Sequence, residues 1–197
     1  MGDEYTTYDD CKSLNTVAPS LELLEYVRGE RIDYQPGKVH VVYFWAKYYK
    51  GGLPVTEEIS KLSEKYKDVL FIAISGDAER REVEKFLQKE QKDEKTGEDA
   101  GLRTQYVAFD DKGWTRKMFG QALGGIAVSI PQAFVVNQKG LLAWRQVFSQ
   151  SVRVADTSFE EQLKSVIAGT ALKSNGNKPK VDAGPGEAAE CDDMALF

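Results

Sequence analysis

Apolar and polar positions along the chain switch between short β-rich runs and stripes of helical period. Residues 39–45, Val-His-Val-Val-Tyr-Phe-Trp, predict a buried strand rich in β-branched and aromatic residues. Gly51, Gly52 and Pro54 mark a turn directly after it. In residues 54–67, Val55, Ile59, Leu62 and Tyr66 share one helical face. Residues 69–75 form an apolar run, as expected for a strand covered on both faces. A second helix is expected from Gly76-Asp77, with Asp77 as its N-cap and Val83, Phe86 and Leu87 as its apolar stripe. Residues 106–109 predict a short strand, and residues 114–123 a helix stopped by Gly124-Gly125. Pro131 then opens a strand that turns through Asn137-Gln138-Lys139-Gly140 into an antiparallel partner. Residues 159–168 close the pattern as a helix, with Thr157 or Ser158 as cap and Gly169 as stop.

Other stretches are less regular. Residues 19–28, with Leu21, Leu23, Leu24 and Val27, fit either a helix or a strand and turn. Residues 31–38 are a polar connection with a Pro36-Gly37 turn. Residues 89–101 are too polar for a core and read as a helix extension plus a surface loop. Residues 173–186, rich in Gly, Pro, Asn, Lys and Ser, read as linker. The expected organisation is an N-terminal arm (1–13), one domain (14–170), and a linker with an acidic tail (171–197). No internal repeat is visible.

The stretch Phe44-Trp45-Ala46-Lys47-Tyr48-Tyr49-Lys50-Gly51-Gly52-Leu53-Pro54 resembles the first strand and active-site turn of the thioredoxin superfamily, F-W-A-x-W-C-x-x-C-x-x-x-x-P. Phe44, Trp45 and Ala46 match, and Tyr48 takes the place of the second aromatic. Tyr49 stands where the nucleophilic cysteine belongs, and Gly52 where the resolving one belongs. Ile130-Pro131 before an apolar strand, followed by Asn137-x-x-Gly140, resembles the second signature of the superfamily. The resemblance spans about residues 14–169. It implies an α/β thioredoxin-like fold, with a central mixed β-sheet flanked by helices and an inserted strand and helix, as in the cytochrome-maturation, peroxiredoxin-like and tryparedoxin-like branch. It also implies a strand near residues 15–18 followed by a short helix, and a cis bond at Ile130–Pro131.

Composition bounds the rest. With 197 residues, 42% apolar and 29% charged, the chain is long enough for a sizeable core. No apolar run approaches the ~20 residues of a membrane helix. The N-terminus is acidic and lacks the basic and apolar regions of a signal peptide. With only Cys11 and Cys191, one in each terminal extension, a disulfide framework is not expected and a reducing cytoplasm is the expected location. The net charge of −5 hides a division. Residues 1–11 and 182–197 carry only acids, which leaves a mildly basic body and suits docking on an acidic partner.

Candidate chemistry is sparse. Thiol–disulfide exchange needs a thiolate, and the phenol of Tyr49 cannot replace it. The only cysteines, Cys11 and Cys191, sit in the terminal extensions and read as free thiols. His40, the only histidine, lies in a buried strand and reads as a packed or hydrogen-bonded ring. Asp77, Asp110 and Asp111 read as caps and turn formers. No metal-ligand spacing, phosphate loop or Gly-x-Ser-x-Gly turn occurs, so no catalytic residue, metal or cofactor is expected.

Two function classes stay open. The first is a non-catalytic binding or structural protein, without nucleic-acid partners, that uses Lys47, Tyr48, Tyr49, Lys50, Ile130 and Pro131 to hold a protein. The bases of residues 80–95 and of the linker are expected to assist. The second is a thiol-dependent or glutathione-linked oxidoreductase of the same fold, using Cys11 or Tyr49. The Trp-Ala-x-Tyr-Tyr replacement, the charged insertion and the short acidic tail are similar to those of cysteine-less thioredoxin-like proteins that decorate cortical microtubules in apicomplexan parasites. That resemblance implies tubulin or another cytoskeletal protein as partner and a cytoskeletal location.

Overall fold

The computed structural model describes residues 15–89 and 101–172. The expected arm, most of the charged insertion and most of the tail, with Cys11 and Cys191, lie outside the described residues.

Among the described residues ten α-helices and strands build the fold. They are β1 (Glu25–Arg28), β2 (His40–Trp45), α1 (Leu53–Lys65), β3 (Leu70–Ser75), α2 (Arg80–Gln88), β4 (Tyr106–Phe109), α3 (Trp114–Ala122), β5 (Gln132–Val136), β6 (Leu142–Val147) and α4 (Phe159–Ala168). The six strands form one mixed sheet in the order β1-β4-β3-β2-β5-β6. The β2–β3 and β3–β4 pairs are parallel, and β1–β4, β2–β5 and β5–β6 are antiparallel. This is the thioredoxin-like α/β fold.

Strand periodicity sorts the core into two halves. From β2, Val41, Tyr43 and Trp45 join Phe71, Val107, Val135 and Trp144 under α1, α2 and α4. Val42 and Phe44 point the other way, with Ile72, Ile74, Ala108 and Phe134, under α3. Phe119 of α3 packs against both Phe44 and Phe134, with ring centres 5.2 and 4.8 Å apart. Strand β2 is buried along its whole length because it is central and covered on both faces.

The ambiguous stretch at 19–28 resolves as turn and strand. Leu24 N–H donates to Leu21 O at 3.2 Å, both leucines are buried, and β1 follows on the sheet edge beside β4. The strand and short helix implied for the start of the domain shrink to one bridge, Val17 with Leu141, and this turn. Asp77 also departs from expectation. Helix α2 starts three residues later, at Arg80, behind Glu79, which makes no side-chain cap. The Asp77 carboxylate is taken up by the site described below. Asp110 behaves as expected, accepting the N–H groups of Thr115 and Arg116 at 2.8 and 2.9 Å at the start of α3. His40 is buried, with Nε2 accepting the Gln35 N–H at 3.0 Å. Burial holds its pKa down at about 4.

Candidate functional site

The parallel strands β2, β3 and β4 end together at Trp45, Ser75 and Phe109. Crevices beyond the carboxyl ends of parallel strands are where open α/β sheets place their sites. Three loops meet there: 46–52 after β2, Gly76-Asp77 after β3, and Ile130-Pro131 before β5. The Ile130–Pro131 bond is cis.

Asp77 ties the first two loops together. Its Oδ2 accepts the Lys47 N–H at 3.0 Å and the Ser75 hydroxyl at 2.7 Å. Asp77 is buried, and these donors satisfy its oxygen there. Gly76 N–H donates to Trp45 O at 2.8 Å. A Cβ at Gly76 would lie 2.6 Å from Ile130 Cδ1 and 3.5 Å from Arg116 Nη1, so the third loop and α3 press on this point.

The turn after β2 is one 3-10 turn, Lys50–Gly52, leading into α1, with Gly52 N–H donating to Tyr49 O at 2.9 Å. Thr56 Oγ1 donates to Gly52 O at 3.1 Å and so receives the buried Tyr43 hydroxyl at 2.9 Å. This chain anchors the start of α1 to β2. Burial pushes the Tyr43 phenol well above its ordinary range.

Tyr49 folds back over this turn. A Cβ at Gly52 would meet Tyr49 Cδ1 at 2.9 Å and Pro131 Cγ at 3.3 Å, and one at Gly51 would meet the Tyr49 hydroxyl oxygen at 3.3 Å. The phenol ring therefore occupies the space above the second glycine, beside the cis proline. Tyr49 is half-buried rather than exposed as the turn pattern suggested; two glycines without side chains leave a flat bed for its ring.

The six residues singled out in the sequence divide into three groups. Tyr49, Ile130 and Pro131 line the closed centre. Tyr48 is 65% exposed and Lys50 is exposed, so both face outward. Lys47 is paired with Glu82 of α2. The expected help from α2 is muted, because its bases are matched by acids: Arg80 Nε lies 2.8 Å from Glu84 Oε1, Arg81 pairs with Glu79, and Lys85 Nζ is 3.4 Å from Glu82 Oε1. Arg116 went unread in the sequence, and Gly76 was read only as a helix start; both reach the site from elements far from the turn in sequence, and nothing local marks them as site residues. Among the described residues no group of His, Cys, Asp and Glu could hold a metal ion.

The family profile described as thioredoxin-like matches residues 37–142. This chain belongs to the thioredoxin-like family. The matched segment contains no cysteine. No curated protein matches the sequence significantly. Among solved structures, an uncharacterised conserved protein from Geobacillus kaustophilus shares 17% identity and a TM-score of 0.59, covering 86% of this chain and 94% of its own. A candidate thiol:disulfide interchange protein DsbE from Chlorobium tepidum shares 20% identity and a TM-score of 0.58, covering 78% and 97%. A thiol:disulfide interchange protein of the thioredoxin family from Chlorobium tepidum shares 17% and 0.52, covering 78% and 97%. At these identities the likeness concerns the fold. Among the described residues no helix is long and apolar enough to cross a membrane.

Proposed function

We propose that this thioredoxin-like chain is a non-catalytic binding protein, a component of a larger assembly in the cytoplasm, and that the end of the fold used elsewhere for thiol chemistry is its protein-binding end. The observation that carries this reading is the Tyr49 ring seated on Gly52 against cis-Pro131. A phenol offers neither a thiolate nor a disulfide partner. A ring closed down on two glycines fills the place where a second sulfur would have to sit.

Outside that plug the turn presents Tyr48 and Lys50, an aromatic beside a cation, a pairing common at protein interfaces. The cysteine-less members that coat cortical microtubules make tubulin the first partner to test. Co-sedimentation with microtubules at low and high salt is the direct experiment. Binding that weakens with salt and is lost in a Tyr48→Ala/Lys50→Ala variant, with the fold intact by circular dichroism, supports the reading. These two side chains make no described contact that the fold needs. Unchanged binding in that variant removes the turn as the interface, and no co-sedimentation at any salt removes tubulin as the partner.

A further inference from the structure

Positive charge is unevenly balanced over the helices. The bases of α2 sit beside carboxylates, but α3, Trp-Thr-Arg-Lys-Met-Phe-Gly-Gln-Ala, contains no acid. Arg116 and Lys117 have no carboxylate partner among the described residues. The nearby Asp110 is buried and directs both oxygens at backbone N–H groups. Asp111 stands 3.7 Å from Lys112.

Beside these two bases lies Trp114, half of it open to solvent, with Lys117 Nζ 4.4 Å from its ring centre. A cleft of about 410 Å³ separates α3 from the segment 125–128, with Arg116 and Lys117 on one wall and Ile126 and Val128 on the other. Among the described residues no carboxylate lines it. Arg116 also reaches toward Gly76 and Ile130, so the cleft adjoins the cis-proline loop.

From these observations we infer that the α3 face is a second docking surface, for an acidic, Glu- or Asp-rich extended segment of a protein partner. The inference extends the binding reading above to the partner's chemistry. Adjacent like charges without counter-charges repel one another, and a carboxylate placed between them relieves that. A guanidinium offers a carboxylate two parallel hydrogen bonds. The cleft is the size of a pocket for one or two side chains, and the half-exposed Trp114 ring, beneath the Lys117 ammonium that lines the cleft, gives the peptide an apolar shelf. A long polyanion such as nucleic acid would need a broad basic surface in place of two bases.

Tryptophan fluorescence reads this surface selectively. Trp45 and Trp144 are 1% and 0% exposed, so the neutral quencher acrylamide acts chiefly on Trp114. In the full chain at low salt, an oligo-glutamate peptide is expected to lower the quenching slope roughly twofold, and added salt to restore it. Trp114→Phe should abolish the signal, and Arg116→Gln/Lys117→Gln should abolish the protection, read as the ratio of slopes with and without peptide in the same variant, because Lys117 itself covers the Trp114 ring. An unchanged slope with peptide, or equal protection in the Arg116→Gln/Lys117→Gln variant, overturns the proposal. So does protection already present without peptide and lost on deleting residues 182–197, which would make the chain's own tail the occupant. Neither glutamine substitution touches Tyr49 or Gly52, so failure here leaves the reading of the turn to its own tests.

Discussion

The ring of Tyr49 lies so close over Gly52 that a Cβ on the glycine would sit 2.9 Å from Tyr49 Cδ1. The two positions that the sequence resemblance aligns with the superfamily's cysteine pair thus hold a large ring and the one residue small enough to lie beneath it. The replacements are coupled through space. Neither is interpretable alone: tyrosine needs the glycine bed, and glycine is left without a reason if the tyrosine is removed.

This coupling predicts a non-additive mutant cycle. The backbone at Gly52, φ −89° and ψ −13°, is open to any residue, so the cost of Gly52→Ala is steric. We expect about 1–2 kcal/mol of destabilisation from overpacking. In a Tyr49→Ala background the same substitution should cost little, since the nearest obstacle is gone and Pro131 Cγ at 3.3 Å can give slightly. Urea denaturation of the four proteins checks it, with equal costs in both backgrounds as the contrary result.

Asp77 should matter for stability as well as for loop placement. Asp77→Ala leaves the Lys47 N–H and the Ser75 hydroxyl without their acceptor in a buried setting. The expected loss is about 1–3 kcal/mol. Hydrogen exchange of the Lys47 amide should rise more than that of amides in β2, because the damage is local. Uniform exchange across the strand would contradict this.

His40 gives the fold a pH dependence. Its folded pKa of about 4 lies below the unfolded value near 6.5, so between these values the unfolded chain binds more protons than the folded one. The contribution is complete above pH ~6.5 and falls away as pH drops toward 4, a loss on the order of 2–3 kcal/mol. Replacing the ring by glutamine, His40→Gln, keeps a possible acceptor for the Gln35 N–H and should flatten the stability profile in that window. A profile as steep as the wild type's would assign the effect to other groups.

Helix α3 depends on its aromatic contact with the sheet. Phe119 is fully buried between Phe44 and Phe134. Phe119→Ala should cost about 3–5 kcal/mol. In the same variant the acrylamide quenching of Trp114 should become steeper, as the helix loosens. Thermal denaturation and quenching on one sample check both.

Much of the fold was legible in the sequence because its signals are local. The apolar runs at β2 and β3, the stripe of α1, the hairpin after Pro131 and the Gly169 stop each announce themselves within a few residues, and two turn signatures in order imply the rest. Where a competing contact decided the outcome, sequence misled. Asp77 has the chemistry of a cap, but the Lys47 amide and Ser75 hydroxyl claim its oxygen and α2 starts without it. The site was legible as a list of residues and not as an arrangement. Tyr49 was marked by the missing cysteine, but its position over Gly52 depends on a side-chain rotation that no pattern encodes. Arg116 arrives from α3, some sixty residues beyond the turn in the chain. The balance between the bases of α2 and their acids likewise appears only once Lys47 meets Glu82 across two elements.

The central proposal, that the end of the fold carrying Tyr49 and Pro131 binds and does not catalyse, is tested most directly by turnover. The purified full-length chain should be assayed for insulin disulfide reduction with dithiothreitol as electron donor, beside an ordinary thioredoxin. The account predicts a rate equal to that of dithiothreitol alone, unchanged when Cys11 and Cys191 are replaced by serine. Reduction well above that background would contradict it; loss of the excess rate in the serine variants would place the chemistry on those two thiols.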